Sequence, residues 1–309
     1  MNLRDLAPEE ALRRLELTVL RRLDGLLQGD HLGLVPGPGT EAAEGRVYVP
    51  GDDVRAMDWN LTARAAAPHV RDRVADRELE TWALVDATAS MDFGTGRVEK
   101  RDLAVAAVAA VGFLTERSGN RIGAQILHGT GVRHVPARTG RPHLLGLLRA
   151  LLDLPRSPAA QPGPPGLGAA ADLLRRTAAR RRGLVVVVSD FLEPVPTWAR
   201  PLRMLTQRQQ VLAVEVVDPR ELTLPDVGVL TVVDPETGRR RDVPTATRRL
   251  RERYAQAAAE QRRDIAGALR GAGADHLRLR TDGDWLRDIV RHVHRRRAPG
   301  AVPPPGGAA

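Results

Sequence analysis

Leu79-Glu80-Thr81-Trp82-Ala83-Leu84-Val85-Asp86, followed at once by Ala87-Thr88-Ala89-Ser90, and Leu184-Val185-Val186-Val187-Val188-Ser189-Asp190 decide how this chain folds. Each carries a short apolar run, Trp82–Val85 and Leu184–Val188, and arrives at an aspartate. Leu184–Val188 and Val211–Val217 are apolar on both sides, as central parallel strands are. Helical patterns separate these runs. Strands that alternate with helices imply an α/β fold: a central, mostly parallel sheet with helices on both faces.

Working outward, helices are expected over 98–116, 143–154, 169–181, 198–207, 246–272 and 284–297. Ile122–Leu127 and Val132–Val135 flank Gly129-Thr130-Gly131, a hairpin signature. Further strands are expected over 227–233, before the turn Pro235-Glu236-Thr237-Gly238, and over 276–279. Leu12, Leu15, Val19, Leu23 and Leu26 recur at helical spacing and predict an amphipathic helix near the start. The Gly/Pro-rich stretch 33–45 reads as loop. Residues 298–309 carry only Pro, Gly, Ala and one Val, and read as a disordered tail.

The 309 residues are 42% hydrophobic and 28% charged, an ordinary globular balance. Aromatics make up 3%, so the core must come from Leu, Val, Ile and Ala. The chain has no cysteine, which excludes a disulfide scaffold, a thiolate metal site and a cysteine nucleophile. That suits a cytoplasmic location. The net charge is +9, and Lys100 is the only lysine among 47 basic residues. The arginines are spread along the chain and mixed with acids, and no aromatic-rich strand offers a stacking platform. Nucleic-acid binding is therefore an alternative and not the expected main role. Leu184–Val188 and every other purely aliphatic run fall far short of the roughly 20 residues of a spanning helix, so no membrane anchor is expected.

In an open parallel sheet, ligands bind outside the carboxyl ends of the strands. Alternation through the loop after Asp86 points Asp86, Thr88 and Ser90 one way and turns Ala87 and Ala89 aside. Asp190 reaches them from a neighbouring strand. Two carboxylates and two hydroxyls are hard oxygen ligands, which select Mg²⁺, Mn²⁺ or Ca²⁺ over zinc or copper. So sparse a set welcomes a further carboxylate or phosphate. The plainer alternative is that both aspartates cap helices.

Asp-x-Thr-x-Ser with a later strand-end Asp resembles the metal-ion-dependent adhesion site of von Willebrand factor A domains. There a partner's acidic side chain completes the metal's octahedron. Tyr48-Val-Pro-Gly-Asp-Asp-Val-Arg55, Asp58-Trp59-Asn60, Ala63-Arg64, Asp86 to Met91, Lys100, Ser189-Asp190-Phe191 and Asp218-Pro219-Arg-Glu221 together resemble the bacterial domain-of-unknown-function 58 family. The resemblance implies a von Willebrand factor A-like, Rossmann-like domain over 79–297, an N-terminal extension over 1–78 and the tail 298–309. It implies metal ligation by Asp86, Thr88, Ser90 and Asp190. Members are often encoded beside MoxR-type AAA+ ATPases, which implies such an ATPase, with a client protein, as partner. Two departures stand out. Thr88 replaces the usual serine and keeps the hydroxyl. The pattern's second-loop threonine has no counterpart in Gly163–Gly168, and Thr139 is the nearest substitute, which implies weak or absent metal binding.

The expected function is a non-enzymatic binding or adaptor protein with no catalytic residues. The alternative is a Mg- or Mn-dependent hydrolase or phosphotransfer enzyme using Asp86, Asp190 and Asp52 or Asp53, and it wants a general base beside the metal. No Gly-x-x-x-x-Gly-Lys loop is present. Asp52, Asp53, Arg55 and Asp58 read as a structural turn. Trp59 and Trp82 read as core. Lys100 reads as a surface contact, because lysine is seldom buried unpaired. His292 and His294 read as solvated.

Overall fold

The computed structural model describes residues 8–27, 46–48, 57, 59–65, 67–70, 80–116, 120–157, 165–179, 182–235 and 237–297. The chain opens with α1 (Pro8–Leu27), β1 (Arg46–Val47), α2 (Trp59–Arg64) and β2 (His69–Val70). Then come β3 (Glu80–Ala87), α3 (Lys100–Glu116), β4 (Arg121–His128), β5 (Gly131–Arg138), α4 (Arg141–Leu152) and α5 (Leu167–Thr177). The second half holds β6 (Gly183–Ser189), α6 (Val195–Thr206), β7 (Gln210–Val217), β8 (Val229–Val233), β9 (Arg240–Pro244), α7 (Arg248–Gly271), β10 (Asp275–Arg280) and α8 (Trp285–Arg297).

Six strands form the main sheet in the order β10-β7-β6-β3-β4-β5. All neighbours are parallel except β5, which runs antiparallel to β4 at the edge. The expected hairpin makes that edge, and Gly131 turns it with φ 132°, a value that side chains resist. Counted within this sheet alone, the order is the doubly wound 3-2-1-4-5-6. The α/β class and the mostly parallel sheet are as expected.

Strand alternation divides the core in two. Ala83 and Val85 of β3, Val186 and Val188 of β6 and Val214 of β7 face α1, α3 and α4. Trp82, Leu84, Val185, Val187 and Ala213 face α5, α6 and α7. Ala11, Leu15 and Val19 put α1 into the first of these cores. Gly168 lets α5 and α6 cross at backbone contact, since a Cβ there would lie 2.0 Å from the Thr197 carbonyl oxygen.

Several expectations change. The strand over 227–233 does form, as β8, but it pairs with β9 in a two-stranded sheet of its own. β9, Arg240-Arg-Asp-Val-Pro244, lacks the apolar alternation that marks a strand, so it is silent in the sequence. Trp82 is core as expected, but Trp59 is 69% exposed. It heads a six-residue helix, too short to lay an apolar face on either core. Trp59→Ala is therefore expected to change unfolding free energy by no more than about 0.5 kcal/mol, against the roughly 3–5 kcal/mol of a core tryptophan. Urea denaturation reads the difference. His292 is not solvated: it is half-buried beside Ala107 and Val111. The His294 side chain, Asp52, Asp53, Arg55, Asp58, the stretch 33–45 and the tail 298–309 lie outside the described residues.

Candidate functional site

β3 and β6 are neighbours at the point where the strand order reverses. The helix entered from β3, α3, covers one face of the sheet, and α6, entered from β6, covers the other. In doubly wound sheets the diverging connections make this switch point, at the carboxyl ends of the two strands, the place where ligands bind. Asp86 and Asp190 both stand there, 5% and 2% exposed.

The loop after β3 is folded around Asp86. Its Oδ1 accepts from the Thr88 backbone N–H at 3.0 Å and from Thr88 Oγ1 at 2.7 Å. A single 3-10 turn, Ala89–Met91, then carries Ser90 back, so that Ser90 Oγ lies 3.3 Å from Thr88 Oγ1. Ala87 and Ala89 are buried, as the alternation requires. Across the crevice, Ser189 Oγ donates to Asp86 Oδ2 at 2.6 Å and accepts from the Phe191 N–H at 3.0 Å. Phe191 has φ 55°, the only positive φ among described non-glycine residues. Its ring is buried edge-on against Trp198, and this packing offsets the local strain. The reversal lets the Leu192 N–H reach Asp190 Oδ1 at 3.2 Å, and Ser90 also donates to Asp190. Asp86, Thr88, Ser90 and Asp190 are thus joined in one cluster.

Lys100 overturns the surface expectation. It is 1% exposed, and its Nζ donates to Asp190 Oδ2 at 2.7 Å and to Glu221 Oε1 at 2.5 Å. The rule against buried lysine fails because two carboxylates receive the ammonium. Glu221 Oε2 accepts from Arg262 at 3.0 Å, and Arg262 also donates to the Asp190 carbonyl and to Glu215. Glu215 takes His276 Nε2 and Arg278 Nε, each at 2.7 Å. Asp218 fixes the turn that presents Glu221: the two form a capping box, and Thr95 and Thr281 hold the Asp218 carboxylate. The sequence carried two signals of this network. One is a solitary lysine in an arginine-rich chain, the other a glutamate inside the apolar run Val211–Val217. Arg262, on a helix full of arginines, gave none.

The electrostatics separate the two aspartates. Burial, and then the neighbouring Asp190, push the Asp86 carboxyl up to about 6 against the hydrogen bonds from Ser189 and Thr88. Burial pushes Asp190 up too, but Lys100 beside it wins and holds it below the usual carboxylate range. Lys100 is itself raised, since Asp190 and Glu221 outweigh its burial. Among the described residues no basic side chain pairs with Asp86.

The donor set fits a hard divalent ion. Thr88 uses its proton on Asp86 and Ser90 uses its proton on Asp190, so both hydroxyl oxygens present lone pairs. Their 3.3 Å separation is close to the roughly 3 Å between adjacent ligands of an octahedral Mg²⁺. Asp86 supplies the negative charge that Lys100 leaves unanswered. Among the described residues no group of three or more His, Cys, Asp or Glu side chains could hold a metal ion, so any site here would rest on the two hydroxyls beside the aspartates. Thr139 is no substitute for the second-loop threonine. It follows Arg138, which pairs with Ile122 and through it with Thr81, at the opposite end of β3 from Asp86. Leu167, at the head of α5, is buried in the core.

A doubly wound sheet with an oxygen-lined crevice at its switch point defines a Rossmann-like α/β domain with a candidate cation site. The chain belongs to the family described as protein of unknown function DUF58, which matches residues 44–264. Uncharacterised proteins of Mycobacterium bovis (Mb1516) and Mycobacterium tuberculosis (Rv1480) are each 55% identical over 287 residues, 93% of this chain and 89% of theirs. Among solved structures, the conserved hypothetical protein BatB from Bacteroides thetaiotaomicron is 14% identical with a TM-score of 0.39, covering 70% of this chain and 98% of its own. The SpRpn10 VWA domain is 12% identical with a TM-score of 0.38, covering 69% and 93%.

Proposed function

We propose that this chain is a non-enzymatic adaptor that binds an acidic group of a protein partner at the crevice between β3 and β6. Asp86, Thr88, Ser90 and Asp190 would hold Mg²⁺ or Mn²⁺, and the ion would present an open position to the partner's carboxylate. The observation that carries this reading is Asp86 itself: a buried carboxylate without a basic partner among the described residues, flanked by two hydroxyls with outward lone pairs. The family resemblance supports a MoxR-type AAA+ ATPase as partner in assembly or maturation of a client protein. No described helix is long and apolar enough to cross a membrane. A cytoplasmic location belongs to the same proposal.

Mg²⁺ at about ten times its Kd stabilises a fold by about 1.4 kcal/mol, a rise of a few degrees in Tm at this size. That rise is expected in the wild type and absent from Asp86→Ala and Asp190→Ala. Calorimetry with Mg²⁺ and Mn²⁺ gives the affinities. A wild type that binds neither ion at 10-millimolar order, alone or with the ATPase, sinks the reading. The hydrolase reading draws on the same raised Asp86 carboxyl, which is poised as a base near neutrality. Phosphatase or nuclease turnover with Mn²⁺, lost in Asp190→Ala, would establish it instead.

A further inference from the structure

A cation in the crevice would meet only part of the charge gathered around it. Asp190, Glu221 and Glu215 are three carboxylates in one buried chain, and Lys100, Arg262 and Arg278 are three basic groups in contact with them. That chain closes to neutrality on itself, and His276 adds a hydrogen bond to Glu215 at 2.7 Å. The surrounding acids are answered separately. Asp92 pairs with Arg101 and Glu99 with Arg156. Asp218 is held by Thr95 and Thr281 and feels the charge of Arg280. Of the two crevice aspartates, Asp86 alone keeps a charge that no described basic side chain answers.

Lys100 makes that division. Its Nζ lies 2.7 Å from Asp190 Oδ2 and 5.9 Å from the centre of the Phe93 ring, and the residue is 1% exposed. No group from outside reaches the ammonium, so it acts on the crevice through Asp190. Asp190 gives Oδ2 to Lys100 and Oδ1 to the Leu192 N–H, and Ser90 also donates to it. Its charge is committed inward.

In buried surroundings an unbalanced charge is costly, so the charge count decides what binds. A divalent ion ligated by Asp86 keeps one net positive charge. A single carboxylate cancels it. A phosphate dianion overshoots and leaves a buried negative charge, and a neutral amide leaves the positive one. On the reading of the crevice as a cation site, we infer that Lys100 is its specificity-determining residue: by answering Asp190 it leaves the bound ion one net positive charge, which selects a single carboxylate over a phosphate dianion or a neutral group. Without Lys100 the two aspartates would neutralise the ion, and the site would have no call for an anion.

The test uses the full chain at about pH 7.5, where a phosphate monoester is mostly a dianion. Calorimetry measures Mn²⁺ affinity alone and with acetate, methyl phosphate or acetamide. Linkage makes any group that binds the loaded site tighten Mn²⁺ by the same factor as Mn²⁺ tightens it. In the wild type, acetate should tighten Mn²⁺ several-fold, methyl phosphate less and acetamide not at all. Lys100→Met should bind Mn²⁺ alone about tenfold more tightly and lose the acetate effect. Glu221→Gln keeps the lysine and removes its second carboxylate, so it should do the reverse, with weaker Mn²⁺ binding and a larger acetate effect. A merely structural role would lower both affinities together. Glu221→Gln carries the test if Lys100→Met does not fold. A wild type that binds no Mn²⁺ overturns the crevice reading and the inference with it. Mn²⁺ binding with methyl phosphate preferred to acetate, or with an acetate effect unchanged in the variants, overturns the inference alone.

Discussion

Lys100→Met is expected to destabilise the protein by about 3–5 kcal/mol, although it replaces one long side chain by another of similar volume. The cause is what it leaves behind. Asp190 and Glu221 are 3% and 14% exposed at their side chains, and both would lose the ammonium that lies between them. Removing one partner of a buried ion pair costs far more than the pair contributes, because the remaining charge is stranded in low dielectric. Here Asp190 is stranded while Glu221 keeps only Arg262, and Asp190 would then repel Asp86 without the ammonium beside it. The variant should lose most at pH 8, where every carboxylate is ionised, and least near pH 4. Asp190→Asn placed on top of Lys100→Met should recover part of the loss, and a double-mutant cycle in urea measures the coupling. Lys100→Arg is no rescue, since a planar fork does not fit a site built for a point charge. A loss under about 1 kcal/mol in Lys100→Met would mean that water or another cation takes over the position.

That network explains why the site was only partly legible in the sequence. The strands were legible because burial on both faces forces continuous runs such as Leu184–Val188, and the strand-end aspartates because a switch point collects polar groups at carboxyl ends. Asp86, Thr88 and Ser90 lie within five residues, so local alternation was enough to aim them. The Lys100–Glu221–Arg262–Glu215 chain joins α3, the turn after β7, α7 and β7 itself, with partners 121 and 41 residues apart in its Lys100–Glu221 and Arg262–Glu221 bonds. No local periodicity records such contacts. Burial of lysine is decided by partners that a linear reading cannot place, and so the general rule gave the wrong answer at Lys100. Trp59 and β9 failed for the complementary reason. Residue type argued for core at Trp59 and against a strand at Arg240–Pro244, while element length and hairpin pairing decided otherwise.

Asp86→Asn should have the opposite sign to Lys100→Met: a stabilised protein when no divalent ion is present. The Asp86 carboxyl is raised from 3.8 to about 6, so the folded state holds this proton more tightly than the unfolded chain does. The favourable contribution is therefore full below about pH 4 and is lost as pH rises through 6. At 1.36 kcal/mol per pKa unit, the ionised carboxylate costs the fold about 3 kcal/mol at pH 8. Asparagine is nearly isosteric and its amide oxygen still accepts from the Thr88 N–H, but it carries no charge to desolvate or to repel Asp190. Whole-protein stability will still fall in acid, because Asp190, Glu215 and Asp218 are held low and lose their contribution there. The quantity to read is thus the difference between variant and wild type in EDTA. It should be near zero at pH 4 and climb to about 2–3 kcal/mol in favour of Asp86→Asn by pH 8. Saturating Mg²⁺ should shrink that advantage, since the ion stabilises only the wild-type charge. A difference that stays flat from pH 4 to 8 would show that Asp86 is ionised without penalty in the fold, and the crevice would lose its reason to bind a cation.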